Sequence, residues 1–219
     1  MDSPEITIII PERNEAKTLP LILIDVDRYL SKGLVNYEII VVDSASTDST
    51  REIVKRLSSF IKNLKLIKLE KNMGEGFAVR KGISEASGKV RLLLNPRSSV
   101  SINEIEKLLP EFKAGFGVVT GKRRALPGLS GKIFKSGRNF GFWCLSMTAV
   151  ERILPKMKIN GCGYWLELME IAKRTGVRVS EAEIEAENGF GNKTVMDFIQ
   201  NLKDAIKIKI WLLSGAYKI

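Results

Sequence analysis

Residues 6–15 read Ile6-Thr7-Ile8-Ile9-Ile10-Pro11-Glu12-Arg13-Asn14-Glu15. Five consecutive β-branched residues favour a strand, and four isoleucines among them favour a buried one. The run stops at Pro11, which has no amide hydrogen to give to a ladder. Working outward, Glu38–Asp43 encloses Ile39-Ile40-Val41-Val42, a second buried strand. Between the two, residues 16–30 place Leu19, Ile22, Leu23, Val26 and Leu30 at helical spacing. Ser46 to Ser49 offer several N-caps for a helix running to about Leu57. Leu64–Leu69, Val90–Leu94 and Gly117–Gly121 read as further strands, and Gly74–Ala86 as a helix. Ser101-Ile102-Asn103-Glu104 has the form of a capping box opening a helix to Phe112. This alternation predicts right-handed crossovers and an α/β fold with a mainly parallel central sheet flanked by helices. Ligands of such sheets bind outside the carboxyl ends of the strands. Those ends are residues 11–15, 43–48 and 95–99.

The second half has a different texture. Residues 113–138 hold seven cations and no acid, which reads as a basic loop. Phe140–Leu145 and Val177–Ile184 read as strands and Tyr164–Thr175 as a helix. Thr148-Ala149-Val150-Glu151 has the form of a second capping box, and Thr194 is placed to cap a final helix. No repeat, low-complexity segment or long linker divides the 219 residues, so a single domain is expected.

Composition narrows the chemistry. Lys plus Arg is 35 against 25 acids, a net charge of +10. Such a balance favours an anionic partner: nucleotide phosphates, a lipid phosphate, a membrane surface or nucleic acid. The basic loop lacks the interleaved aromatics of a nucleic-acid binder, so no nucleic acid is expected. Histidine is absent, which removes Ser-His and Cys-His nucleophiles, histidine-ligated zinc and a histidine general base. Cys144 and Cys162 have no metal-ligand spacing, give no disulfide framework and are expected to be buried thiols. No apolar run reaches about 18 residues, so no segment is expected to span a bilayer. The acidic, polar start suggests no signal peptide, and a cytoplasmic location is expected.

Three segments together resemble the family 2 glycosyltransferases of GT-A fold. Residues 7–15 are similar to that family's IIPTYNE opening. Residues 37–48, Tyr37-Glu38-Ile39-Ile40-Val41-Val42-Asp43-Ser44-Ala45-Ser46-Thr47-Asp48, resemble its EIIVVDDGSTD segment. Residues 72–82 resemble its N.GKG.AVR.G segment. Gly121-Lys122-Arg123, Phe140-Gly141-Phe142 and the stretch from Glu167 to Glu181 resemble the dolichyl-phosphate mannose or glucose synthases within it. The resemblance implies transfer of a sugar from a nucleotide sugar to a polyprenyl-phosphate or similar acceptor. Residues 1–123 would then be the nucleotide-sugar half, and residues 124–219 the acceptor half with a C-terminal amphipathic helix.

The site residues this implies are Pro11, Arg13, Glu15, Asp43, Ser44 and Asn95 around the nucleotide sugar. Asp43 would accept hydrogen bonds from base or ribose; its position equally fits a turn aspartate that caps the backbone after it. The resemblance also implies magnesium or manganese held by a DXD motif after the fourth strand. This chain reads Asn95-Pro96-Arg97 there. A hard cation wants carboxylate oxygens, and Arg97 would repel it, so the usual metal site is expected to be lost. Two readings follow. In one, Arg97 and Arg123, helped by Lys122 and Arg124, act catalytically by holding the pyrophosphate in place of the ion. In the other, the protein is a catalytically inactive nucleotide-binding homologue, a scaffold or regulatory subunit. Arg138 and Lys193, with Lys132 and Lys135, are the candidates for an acceptor phosphate. A phosphate nucleophile is already anionic, so no general base is required. The final helix, apolar with Lys203, Lys207 and Lys209 interleaved, fits either a peripheral membrane contact or a core or homodimer contact.

Overall fold

The isoleucine run forms an interior strand of a seven-stranded sheet in a computed structural model of the chain, which describes residues 3–33, 36–98, 100–123, 141–185 and 195–217. The strands are β1 (Ile6–Glu12), β2 (Tyr37–Asp43), β3 (Leu64–Lys68), β4 (Val90–Leu94), β5 (Val118–Arg123), β6 (Phe142–Ser146) and β7 (Val179–Ile184). Their order is β3-β2-β1-β4-β6-β5-β7. β1, β2, β3 and β4 are mutually parallel, β5 runs parallel to β7, and β6 is antiparallel to both β4 and β5. The chain winds outward from β1 to β3 and then returns to place β4 on β1's other side. The order therefore reverses between β1 and β4, the point at which open α/β sheets place a ligand crevice at their carboxyl ends.

Every residue of β1 and β2 is buried. Alternate side chains feed two separate cores, as a pleated strand requires. Ile8, Ile10, Ile39, Val41, Leu92 and Leu94 pack against α1 (Leu19–Lys32), α2 (Thr50–Leu57) and α4 (Ile105–Lys113). Ile9, Ile40, Val42 and Leu93 pack against α3 (Glu75–Glu85), α5 (Met147–Ile153), α6 (Tyr164–Arg174) and α7 (Val195–Leu213).

The structure departs from sequence expectation in a few places. β1 continues through Pro11 to Glu12. Its ladder with β4 ends at Ile9, so Pro11 pairs only with Val42 of β2 and its missing N–H leaves no gap. Ser101 makes no side-chain cap; the chain enters α4 through a 3-10 turn at Ile102–Glu104. The Glu104 carboxylate is taken instead by Lys107 at 2.8 Å and the backbone N–H of Glu185 at 2.8 Å. The second cap is Ser146, not Thr148: its hydroxyl accepts from the Ala149 N–H at 3.2 Å because the helix starts as soon as β6 ends. Cys144 is buried in β6, whereas Cys162 is only partly buried.

Candidate functional site

Two loops and one turn form the rim at the carboxyl ends of β1, β2 and β4. The β1 and β2 loops are stitched together. The Asn14 N–H donates to Ser46 Oγ at 2.9 Å, and the Thr47 N–H to Asn14 Oδ1 at 2.8 Å. The Glu15 N–H donates to Thr50 Oγ1 at 3.0 Å, and the Ala16 N–H to Asp48 Oδ2 at 3.3 Å. Each loop turns on one residue in the left-handed region, Asn14 at φ 57° and Ala45 at φ 58°. Asn tolerates that conformation; Ala does so at a cost. The loops are therefore held by side-chain bonds.

Asp43 is fully buried beneath this rim. Its carboxylate accepts from the Ser46 N–H at 3.1 Å and from Arg51 Nε. Arg51 also donates to the Leu69 carbonyl at 2.9 Å, tying the β3 end to the same centre. Burial alone would raise the Asp43 carboxyl; hydrogen bonds from Ser46, Arg51 and Glu12 outweigh it and hold the group below the usual range. Asp43 thus accepts from the turn that follows β2 and from α2.

Glu12 lies beside it and is also buried. Desolvation, its hydrogen bond to Asp43 and the charges of Asp43 and Asp48 push the Glu12 carboxyl up to about 8. Two adjacent buried carboxylates cannot both ionise cheaply, so the proton sits on Glu12. Its Oε1 has no hydrogen-bond partner.

The β4 turn is fixed by Asn95. Its N–H donates to the Gly141 carbonyl at 2.7 Å, its Oδ1 accepts from the Arg97 N–H at 2.9 Å, and its Nδ2 donates to Glu75 Oε1 at 3.2 Å. Gly141 sits at φ 65°, and a Cβ there would strike the Cβ of Asn95. The Arg97 guanidinium crosses the crevice. Its Nε donates to Glu15 Oε1 at 2.6 Å and an NH2 to the Arg13 carbonyl at 3.2 Å. Its side chain remains 63% exposed.

The structure therefore brings Arg13, Glu15, Asp43, Ser44, Asn95 and Arg97 to one rim, but in revised positions. Pro11 is buried within β1, and Ser44 is buried with its N–H on the Glu12 carbonyl at 3.0 Å. Glu15, expected around the nucleotide sugar to hold Arg13 or a ribose hydroxyl, accepts from Arg97. Lys122, expected to help a clamp, pairs with Glu181 of β7 at 3.2 Å. Arg123 ends β5, where its backbone alone is described. Arg124, Lys132, Lys135, Arg138, Lys193 and Thr194 lie outside the described residues. Sequence reasoning missed Glu12 and Arg51 and assigned no role to Glu75. Glu12 did carry a signal, an acid ending an isoleucine strand where the family motif has threonine. Arg51 carried none, because its pairing with Asp43 depends on how α2 docks. Among the described residues, no three carboxylate or thiol groups converge as a metal site would require.

A sheet with this strand order, and a loop-built crevice at its carboxyl edge, define the GT-A class of glycosyltransferase. The Glycosyl transferase family 2 model matches residues 7–180, and the chain belongs to that family. It is similar to the dolichyl-phosphate beta-glucosyltransferase of Dictyostelium discoideum, 27% identical over all of this chain and 78% of that protein. The mouse enzyme of the same name is 24% identical, over all of this chain and 79% of its own length. Among solved structures, the mannosyl-3-phosphoglycerate synthase of Rubrobacter xylanophilus superposes with a TM-score of 0.71 at 14% identity, covering 99% of this chain and 76% of that one. The glucosyl-3-phosphoglycerate synthase of Mycobacterium tuberculosis, solved with Mn2+, UDP-glucose and phosphoglyceric acid, gives 0.68 at 16% identity, over 94% and 79%.

Proposed function

We propose that the protein transfers a sugar from a nucleotide sugar to a prenyl phosphate, with glucose from UDP-glucose the first donor to test. The observation that carries the reading is the crevice between β1 and β4, where Arg97 is presented beside the loops that follow β1 and β2. In the transfer, an acceptor phosphate oxygen attacks the anomeric carbon of the donor. The carbon–oxygen bond to the nucleoside diphosphate breaks, and the leaving group departs with the electron pair. A phosphate monoester is ionised at neutral pH, so no proton has to be removed and the absence of histidine is tolerated. The chain must meet the charge that grows on the departing diphosphate. Arg97 is our candidate for that, with Glu15, its ion-pair partner, as the positioning residue.

The residues do not suit a divalent ion. The Asn95 amide is engaged on Arg97 and Glu75, and Arg97 is itself a cation. Donor binding is therefore expected to survive chelator, and Arg97→Ala to weaken it about three- to ten-fold, the modest range of an exposed charge. Calorimetry with UDP and UDP-glucose, with and without EDTA, measures both. Incubation with UDP-glucose and a prenyl phosphate reads the reaction itself. Binding that appears only with manganese would remove the Arg97 role. A well-folded protein that forms no product with any nucleotide sugar would favour a non-catalytic nucleotide binder.

A further inference from the structure

α7 has two unlike faces. Asp204 and Ile208 turn inward, at 2% and 5% exposure. Asp204 accepts from the Gly163 N–H at 3.1 Å and from Gln200 Nε2 at 3.0 Å. After the helix, Tyr217 packs edge-on against Trp211 and donates to buried Glu167 at 2.8 Å. Lys158 Nζ donates to the Ala216 carbonyl at 2.6 Å. The helix is thus anchored from Gln200 to the turn that follows it. On its outer face Leu202, Ile206, Ile210 and Leu213 are 54%, 53%, 57% and 82% exposed. At 3.6 residues per turn these four fall within an arc of about 80°. Lys209 lies roughly 20° beyond one edge of that arc, and Lys203 roughly 20° beyond the other with Lys207 next to it. All three lysines are exposed.

An apolar stripe bordered on both sides by lysines is what an interface between water and lipid accommodates: the apolar chains enter the acyl boundary and the ammonium groups stay among the headgroups. The charges also decide between occupants. A second copy docked through this stripe would set three lysines against three lysines, in a chain whose net charge is +10. An anionic surface meets the same lysines with attraction. No helix among the described residues is long and apolar enough to cross a membrane, so α7 can engage lipid only by lying on it.

We propose that α7 lies flat on a bilayer bearing anionic headgroups, with Leu202, Ile206, Ile210 and Leu213 in the acyl boundary and Lys203, Lys207 and Lys209 on headgroup phosphates. The geometry stands by itself; its purpose rests on the lipid-borne acceptor proposed above. The helix is joined to the crevice through packed groups. The backbone around Gly163 that receives Asp204 continues from Asn160, whose carbonyl leaves no room for a Cβ at Gly74. Gly74 precedes α3, whose Glu75 accepts from Asn95. The docked face and the crevice belong to one packed unit, so docking would fix the height of the crevice above the lipid.

The experiment is co-sedimentation of the purified chain with vesicles of phosphatidylcholine and phosphatidylglycerol in equal parts, beside pure phosphatidylcholine vesicles. The chain should bind the anionic vesicles, and less so as salt rises. Ile206→Ser with Ile210→Ser, both more than half exposed and compared with the parent by melting temperature, should lower the partition about ten-fold or more. Lys203→Gln, Lys207→Gln and Lys209→Gln together should lower it by a similar factor and abolish the preference for anionic lipid. Absence of binding, or equal binding by the serine variant, overturns the proposal. So does a dimer in sedimentation velocity that the serine variant dissolves while vesicle binding is unchanged. Transfer from UDP-glucose to a short-chain, water-soluble prenyl phosphate reads the crevice without lipid and should be equal in all three proteins. Transfer without vesicle binding removes the docking and leaves the reaction; vesicle binding without transfer does the reverse.

Discussion

Glu12 and Asp43 are neighbouring buried carboxyl groups, and the protein separates them by giving Arg51 and the Ser46 N–H to Asp43 and the proton to Glu12. Because the Glu12 carboxyl is raised to about 8 by burial and by Asp43, the native state at neutral pH holds a proton that the unfolded chain has released. Stability from this group is complete at about pH 4.5 and is lost as pH rises toward 8, by at most about 1.4 kcal/mol per pH unit. Urea unfolding at a series of pH values should show that decline from pH 5 to 8, and Glu12→Gln should flatten it; a flat wild-type curve would refute the shared proton. Ala45 gives a second prediction at this scale. It occupies φ 58° where the family motif has glycine. Ala45→Gly should stabilise the protein by about 0.5–1 kcal/mol, visible as a higher urea midpoint, since a Cβ in that region is strained.

Among the elements, the β4 turn and the start of β6 depend on each other. Asn95 gives its N–H to the Gly141 carbonyl, and the approach is so close that only a residue without a Cβ fits at φ 65°. Gly141→Ala must either push Asn95 away or move the strand entry, so a loss of at least about 2 kcal/mol is expected from strain and contact together. Because Asn95 orients Arg97, the variant should also bind nucleotide less well at temperatures where it remains folded. A parallel loss in melting temperature and in calorimetric affinity is the expected pair of readings. Unchanged affinity in a destabilised protein would separate Asn95 from the site.

For the whole molecule, the crevice lies where the strand order reverses, and its charge is set by residues from three separate segments. Arg97 neutralises Glu15 across that crevice. Replacing Asn95→Asp and Arg97→Asp together would leave two new carboxylates near Glu15 with no cation among them. Such a cluster suits magnesium or manganese. The double variant is expected to bind UDP-glucose only when a divalent ion is present, while the parent binds it in EDTA. Metal titration followed by calorimetry checks this, and a double variant that stays indifferent to manganese would mean the turn cannot bring those positions to one ion.

The sequence by itself determined the sheet and its layers. Isoleucine and valine runs of strand length, separated by helices of the right spacing, have no other way to bury their apolar surface than a mainly parallel sheet covered on both sides. The motif order likewise placed residues 11–15, 43–48 and 95–97 at neighbouring strand ends. What the tertiary structure decided was the state of each charged group. Asp43 offers no sign in the sequence of its partner, and the docking of α2 delivers Arg51 to it. Arg97 could be read as facing solvent or phosphate, and the approach of β1 and β4 gave it Glu15 as a partner. α7 could be read as a core or an interfacial helix, and it buries one face while leaving an apolar stripe exposed: a residue-by-residue pattern shows which side chains share a face, but only packing shows which face the core has already used. Charge pairing and burial are set by contacts between segments distant in the chain, and local pattern does not encode them.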